Sequence, residues 1–415
     1  NDDLDGNYVL ESDIDLSSFN QSNSAVNGTF TGTLDGNGHT LENLTINASG
    51  VDDIGLFSQL GTGARVSNVT LSAFNVTGQH RAGLLAGQIN GAIDVDINNI
   101  IVTQSNLEAG FNIGGLIGYI TGSSVNISSI HQASDVISSH YHSGGIIGLV
   151  GGNSFISIDN VLQTGSISGD RGEVAGVIAL VLDSTITLSG IAQQGDISQT
   201  STNDSGRVGG LIGELRNSNT ATIINSYNSG NILAYNTITA DSAVGGLVGE
   251  IDLDEDSGNL KLTIGKSYNS GSVSASGLSI VGSILGQSKG SDPNTITLSD
   301  VYYLANNVTN NNGTSNVSIG SIGSATVNGT ALVKTEDQLK NISTYSTWNI
   351  GEPDSIWQIY TTINGGYPYL TFEDALIHQI NFVSTYEDFQ AINDDLDGNY
   401  ILESDIDLSG FTQSN

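Results

Sequence analysis

Arg207-Val208-Gly209-Gly210-Leu211-Ile212-Gly213 is the stretch from which the rest of the chain can be read, because close copies of it recur. They stand at Ile54-Gly55-Leu56-Phe57, Ala82-Gly83-Leu84-Leu85-Ala86-Gly87, Ile113-Gly114-Gly115-Leu116-Ile117-Gly118 and Ser143-Gly144-Gly145-Ile146-Ile147-Gly148. Val174-Ala175-Gly176-Val177-Ile178-Ala179, Val244-Gly245-Gly246-Leu247-Val248-Gly249 and Val281-Gly282-Ser283-Ile284-Leu285-Gly286 complete the set. Between the first glycine-equivalents (55, 83, 114, 144, 175, 209, 245 and 282) the spacings are 28, 31, 30, 31, 34, 36 and 37 residues. A period in this range signals stacked supersecondary units, each burying its apolar face against its neighbours.

The unit is not helical. Its apolar runs are short, rich in Val, Ile and Thr, and broken by Gly, Asn, Ser or Asp, which is strand-and-turn punctuation. In the glycine stretch, Val208, Gly210 and Ile212 alternate with Gly209, Leu211 and Gly213, and neither set carries a charge. It reads as one strand buried on both faces, as in parallel sheets. The repeat glycines (Gly83, Gly114, Gly115, Gly144, Gly145, Gly176, Gly209, Gly210, Gly245, Gly246 and Gly282) read as structural, admitting a neighbouring backbone that a β-carbon would hold away.

A second strand follows in each period (Thr222-Ile223-Ile224, Leu262-Thr263-Ile264), then a third (Asn231-Ile232-Leu233, Ser272-Val273-Ser274). Ser226-Tyr227-Asn228-Ser229-Gly230 and Ser267-Tyr268-Asn269-Ser270-Gly271 lie between them. Three strands that form no hairpin within a period must each pair with their equivalent one period on. The expected fold is therefore all-β, a parallel β-helix (solenoid) of about eight or nine rungs. A β-propeller, the competing architecture, needs four antiparallel strands per period.

A chain of 415 residues would ordinarily fill about two or three globular domains, but a solenoid core grows along one axis and need not split. The net charge of −33, from 43 acidic and 10 basic residues, repels phosphate and anionic lipid, so nucleic acid is not an expected partner. The absence of Cys removes disulfides, zinc–thiolate sites and cysteine nucleophiles. With low Lys plus Arg and abundant Asn, Ser, Thr and Gly, the composition fits an exported protein. No apolar run approaches the length of a membrane span, so no membrane insertion is expected in this segment.

Along the chain, residues 1–50 read as an N-terminal β cap. Short strands there include a pair around Asp35-Gly36-Asn37-Gly38, a hairpin signature. Residues 51–330 form the repeat β-helix, with extra length collected in polar loops. Residues 331–375 read as an aromatic C-terminal cap containing Trp348, Trp357, Tyr345 and Tyr369, with a capping-box helix start at Thr335-Glu336-Asp337-Gln338. Residues 376–392 read as a connector with a short helix. Residues 393–415 repeat residues 1–23 with twenty of twenty-three identities, the start of a next tandem copy. The expected partners are thus neighbouring copies of the chain itself, through lateral or end-to-end association.

The Gly-Gly-Leu-Ile-Gly repeats, the Phe30-to-Leu41 opening, the Ser-Tyr-Asn-Ser-Gly segments and the ending Trp357 … Gly365-Gly366-Tyr367-Pro368-Tyr369-Leu370 together resemble the GLUG-motif repeats of large bacterial surface proteins. Those repeats occur in filamentous-haemagglutinin-like adhesins and in non-catalytic parts of immunoglobulin A peptidases. The resemblance covers about residues 1–375. It implies an extracellular, cell-surface stalk or filament segment without catalysis, in a protein that meets a host or matrix glycan or protein. The alternative is a glycan-binding or polysaccharide-degrading β-helix.

Three constellations bear on chemistry. Asp252-Leu253-Asp254-Glu255-Asp256-Ser257-Gly258 has the alternating carboxylates of a calcium loop, but its glycine comes one place late and no Glu closes it; a solvated acidic loop is the plainer reading. Asn1-x-Asp3-x-Asp5-Gly6 is nearer in spacing and also lacks the closing Glu. No cofactor is expected, calcium at Asp252, Asp254 and Asp256 or at Asp3 and Asp5 being the one candidate ion. His140-Tyr141-His142 would set two imidazoles on one strand face, a candidate metal pair. A polysaccharide-cleaving β-helix needs clustered carboxylates, or calcium with a basic residue, on one face of neighbouring rungs. Arg81, Arg171 and Arg207 precede glycine stretches, and only Asp170 and Glu173 stand beside them.

Overall fold

A computed structural model describes residues 3–374 except 202–205, 218–219, 236–241, 254–259, 278, 290–293, 312 and 353–354, and beyond these 380–383, 389 and 399–402. Contacts divide the chain into two compact units, Asn1–Trp348 and Asn349–Asn415.

In the first unit the described strands pair in parallel with their equivalents one period later, except that Val308–Asn310 also pairs antiparallel with Gly313–Ser315. Ile97 lies opposite Ile127, then Ile158, Leu188, Ile223, Ile264 and Leu298 in succession, and all seven are buried in one continuous core. Every coil visits three sheets in turn, as in Val95–Thr103, Asn106–Gly114 and Ile117–Thr121, before Ser124–Gln132 begins the next. This is the parallel β-helix expected from the spacing. The third sheet holds ten strands among the described residues, because Val26–Phe30 before the first motif copy and Ile319–Ser321 after the last add one each.

That opening differs from a hairpin. Thr33–Asp35 pairs with Asn7–Val9 on one side and with Arg65–Ser72 on the other, both in parallel. Thr40–Glu42 pairs with Ile14–Asp15 and again with Arg65–Ser72. Asn37 and Gly38 adopt φ of 50° and 82°, so the Asp-Gly-Asn-Gly segment makes a left-handed jog within one coil and does not reverse the chain. A related device divides the long strands of the first sheet. Asn68, Asn99, Ser129, Asn160, Gly190, Asn225, Lys266 and Asp300 form a column with φ between 45° and 65°, a region Asn, Asp and Gly enter most readily.

The glycine stretch is not one strand. Arg207–Gly209 belongs to the second sheet and Ile212–Arg216 to the third, with a bend at Gly210 and Leu211 between them. The repeated motif is the corner of the coil. A β-carbon on Gly209 would overlap the carbonyl oxygen of Ile212, and one on Gly210 would overlap that of Gly246 in the next coil. Backbone oxygens crowd Gly83, Gly114, Gly115, Gly144, Gly145, Gly176, Gly245, Gly246 and Gly282 in the same way.

Behind the corner runs a column of buried amides: Gln132, Gln163, Gln193, Asn228 and Asn269 stack in register, each with no exposed surface. Each donates to the carbonyl two residues on, for example Gln193 Nε2 to Gly195 at 2.7 Å and Asn228 Nδ2 to Gly230 at 2.9 Å. These carbonyls lie in a different turn, between the first and second sheets, which takes them out of the ladder, and buried backbone requires that they be met.

At the far end of this unit, Tyr227 stacks on Tyr268 with centroids 5.0 Å apart and planes 3° from parallel. Trp348 then lies 6.5 Å from Tyr268, 5.7 Å from Tyr302 and 4.7 Å from Tyr345. Thr335 opens the helix Glu336–Leu339 through a capping box. The aromatic segment is shared between the units: Trp357–Gln358 pairs antiparallel with Tyr369–Leu370 in the second. Within the connector 376–392, only 380–383 and 389 are among the described residues, and of 393–415 only 399–402.

Replacing Gly210 with Val should cost about 3 kcal/mol, at the upper end of overpacking penalties, because the obstructing atom is backbone. Gly50, where an added β-carbon meets nothing within 4 Å, should tolerate the same change within about 0.5 kcal/mol. Denaturant midpoints of the two variants check this; equal midpoints would remove the corner contact as a constraint.

Candidate functional site

The corner also concentrates charge. In the second sheet Glu173 lies opposite Arg207. In the third, Glu214 lies opposite Glu250 and Arg216 opposite Asp252. Three coils therefore deliver carboxylates and cations to one edge. Glu214 and Glu250 are wholly buried and Glu173 is 4% exposed. Arg207 Nε lies 3.0 Å from Glu250 Oε1 and 3.7 Å from Glu214 Oε2. Arg216 grips Glu214 with both nitrogens, at 2.8 and 2.7 Å, and comes within 3.8 Å of Glu173. Lys289 Nζ closes on Glu250 at 3.4 Å, and His142 Nε2 on Glu173 at 3.0 Å.

Burial pushes all three glutamates up, and their partners then separate them. For Glu173 the His142 bond and the charge of Arg207 outweigh burial and bring it down to about 2. For Glu214 burial, reinforced by repulsion from Glu173, raises it to about 8 despite Arg207 and Arg216. Glu250 is raised by burial against the pull of Arg207 and Lys289. Of the coupled pair, Glu214 is the carboxyl that burial and the neighbouring Glu173 push toward the protonated form, and Glu173 the one that His142 and Arg207 hold as a carboxylate.

Carboxylate oxygens of Glu214, Glu250 and Asp252 come within 4.8 Å of one another, a spacing that suits a cation. Arg207, Arg216 and Lys289 already supply the positive charge there, so the donor set does not call for a metal ion. Of the calcium candidates in the acidic loop, Asp252 joins this edge, whereas Asp254 and Asp256 lie outside the described residues. Asp3 and Asp5 are exposed, and the Asp3 carbonyl accepts from Tyr8 Oη at 2.6 Å.

The two imidazoles of His140-Tyr141-His142 do not converge. His142 has φ of 63° and is held between Asn112 Oδ1, at 2.5 Å from Nδ1, and Glu173. His140 stacks on Phe111 at 5.0 Å. Phe111 also lies 5.0 Å from His80 and 5.6 Å from Tyr141, giving a ladder of rings on the outer face of the second sheet. The arginines before the corners each find acids: Arg81 with Asp52 and Asp53, Arg171 with Asp170, Arg207 with Glu214 and Glu250.

Sequence reading missed Glu214 and Glu250. Their signal was available: the place after Leu-Ile-Gly and Leu-Val-Gly is Gln88, Tyr119, Leu149, Leu180 or Gln287 in other coils and is charged only in these two.

No protein-family model matches the chain. Over 30% of its length it is 41% identical to halomucin of Haloquadratum walsbyi, of which it spans 1%. Over 41% of its length it is 29% identical to an immunoglobulin A1 protease of Streptococcus sanguinis, of which it spans 11%. The chain thus corresponds to a small part of each curated relative. Among solved structures, a candidate immunoglobulin A1 protease from Bacteroides ovatus aligns with 88% of this chain and 85% of its own at 19% identity and a TM-score of 0.38.

The glutamates fix the sign of a pH dependence. Glu214 binds its proton more tightly folded than unfolded, so its stabilisation is complete below the ordinary value of 4.5 and is lost as pH rises toward about 8. Glu173 does the reverse, losing its contribution as pH falls from 4.5 toward about 2. The thermal midpoint should therefore decline between about pH 4.5 and 8, and Glu214→Gln should flatten that decline. Parallel pH profiles of parent and variant would show that Glu214 carries no such proton.

Proposed function

We propose that the chain is a stalk or filament segment of a large extracellular, cell-surface adhesin of the GLUG-repeat kind, built of tandem copies and without catalysis of its own. The observation that carries this reading is the combination of a continuous parallel coil with a second copy of its opening at residues 393–415. Such an arrangement adds length without adding a new core. Likeness to parts of two long proteins, halomucin and an immunoglobulin A1 protease, supports the extracellular setting. Neighbouring copies are the primary partners, and a host or matrix glycan or protein is met by the parent protein. The acidic surface disfavours nucleic acid, and among the described residues no helix is long and apolar enough to cross a membrane. Calcium at the acidic loop stays a secondary proposal. A non-catalytic role is supported at the buried carboxylate–cation cluster, where Glu214 and Glu250 have no surface to offer a substrate.

A second reading, glycan binding, draws on the ring ladder. His80, Phe111 and His140 border a groove of about 390 Å3 that also presents Gln79, Glu108 and Ser139. Flat ring faces beside hydrogen-bonding side chains suit the apolar face and hydroxyl rim of a sugar. Incubation with a panel of neutral and acidic polysaccharides separates the readings. Neither retention nor cleavage is expected for a stalk. Saturable retention that Phe111→Ala abolishes would establish the ladder as a sugar platform, and cleavage would make the chain an enzyme.

A further inference from the structure

We propose that the edge of the first coil is a docking strand for another copy of this chain, whose segment Ile380–Val383 adds to it in parallel; the proposal rests on the tandem-array reading above. Among the described residues, Asn7–Val9 has a strand neighbour on one side only, Thr33–Asp35. Ile14–Asp15 and Asn20–Gln21 are likewise paired on one side. Tyr8, Val9 and Phe19 are 43%, 61% and 49% exposed. Beside them opens an apolar cavity of about 300 Å3 lined by Leu4, Tyr8, Leu10, Phe30, Leu34 and Phe57. An unpaired edge beside an uncovered apolar cross-section is what a solenoid must cap.

The chain shows what covers this edge. Asn399-Tyr400-Ile401-Leu402 repeats Asn7-Tyr8-Val9-Leu10 at the offset of 392, and in this second copy the strand has a partner. Ile380–Val383 pairs with Asn399–Leu402 in parallel, Ile380 opposite Asn399, Asn381 opposite Tyr400, Phe382 opposite Ile401 and Val383 opposite Leu402. Carried back by 392 residues, the register sets Ile380 of one copy opposite Asn7 of the next, Asn381 opposite Tyr8, Phe382 opposite Val9 and Val383 opposite Leu10. The fifteen residues between the two strands (384–398) meet the dozen or more that a parallel connection needs. Main-chain bonds supply the attachment, as in strand addition generally. The ladder of the downstream copy is thereby extended by one strand that the preceding copy supplies.

The test uses the full chain extended upstream by a second copy of residues 380–392, so that Ile392 precedes Asn1 as it precedes Asn393. Hydrogen exchange at residues 7–10 should slow by about tenfold relative to the unextended chain, with a higher thermal midpoint. Asn381→Pro together with Phe382→Pro in the added segment should abolish both effects, since one of the two positions must lose a ladder donor. Equal exchange in all three chains, or protection that survives the prolines, would overturn the proposal. Protection already present in the unextended chain and lost on dilution would assign the edge to another part of a second copy and overturn it equally. Failure here is separable from failure of the stalk reading: an unprotected edge with no polysaccharide retained sinks only the joint. A protected edge on a chain that cleaves polysaccharide sinks only the stalk.

Discussion

The contact between a carbonyl oxygen and the α-carbon of a glycine in the adjoining coil governs this fold. Three sheets can share one set of coils only if every corner repeats at the spacing of the strand ladders, about 4.8 Å. At the Gly209–Gly210 bend that spacing leaves room for hydrogen and nothing larger. The amide column from Gln132 to Asn269 stands behind this bend and meets the carbonyls of the other turn, between the first and second sheets, whereas the bend's own carbonyls accept from the backbone of the adjoining coil. Corner and column are two sides of one requirement, that the stack turn without losing register or hydrogen bonds.

The charged edge follows from the same bend. A β-carbon at Gly213 would sit 3.0 Å from the Arg207 carbonyl and 3.3 Å from Glu173 Cβ, so the bare backbone there lets long side chains lie flat against the coil. Burying ions in this way is seldom a net gain in stability, because desolvation offsets the attraction. Its effect is on register: Glu173, then Arg207 with Glu214, then Glu250, then Lys289 come from four successive coils, and a slip of one coil would leave a buried carboxylate facing no cation. The later coils, whose loops are longest, are the ones that carry this lock.

Much of the architecture was legible because repetition averages away local ambiguity. Eight copies at a near-constant period define parallel stacking even though no single strand is decisive. What escaped was local or distant. Val208 to Gly213 is uncharged on every side, and a buried bend and a buried strand share that pattern. Asp35-Gly36-Asn37-Gly38 spells a hairpin, yet the same left-handed preference of Asn and Gly serves a jog within a coil. His140 and His142 lost their common face because positive φ at His142 breaks the alternation. Arg207 meets Glu250 across 43 residues and two sheets, a pairing that only knowledge of the corner would reveal. The Asn column, by contrast, was there to be read, since residues of one left-handed preference recur near the period at 68, 99, 160 and 225.

Stacked coils also decide how such a molecule would answer to load. The hydrogen bonds between coils run along the stack, so tension applied in that direction falls on one terminal ladder at a time and peels it. A coil of about thirty residues adds about 5 Å to the stack when folded and about 100 Å when drawn out. Yielding coil by coil, the chain would pay out slack in large, even increments while the remaining coils keep their register. In the proposed stalk, such yielding would make a line that lengthens before it parts.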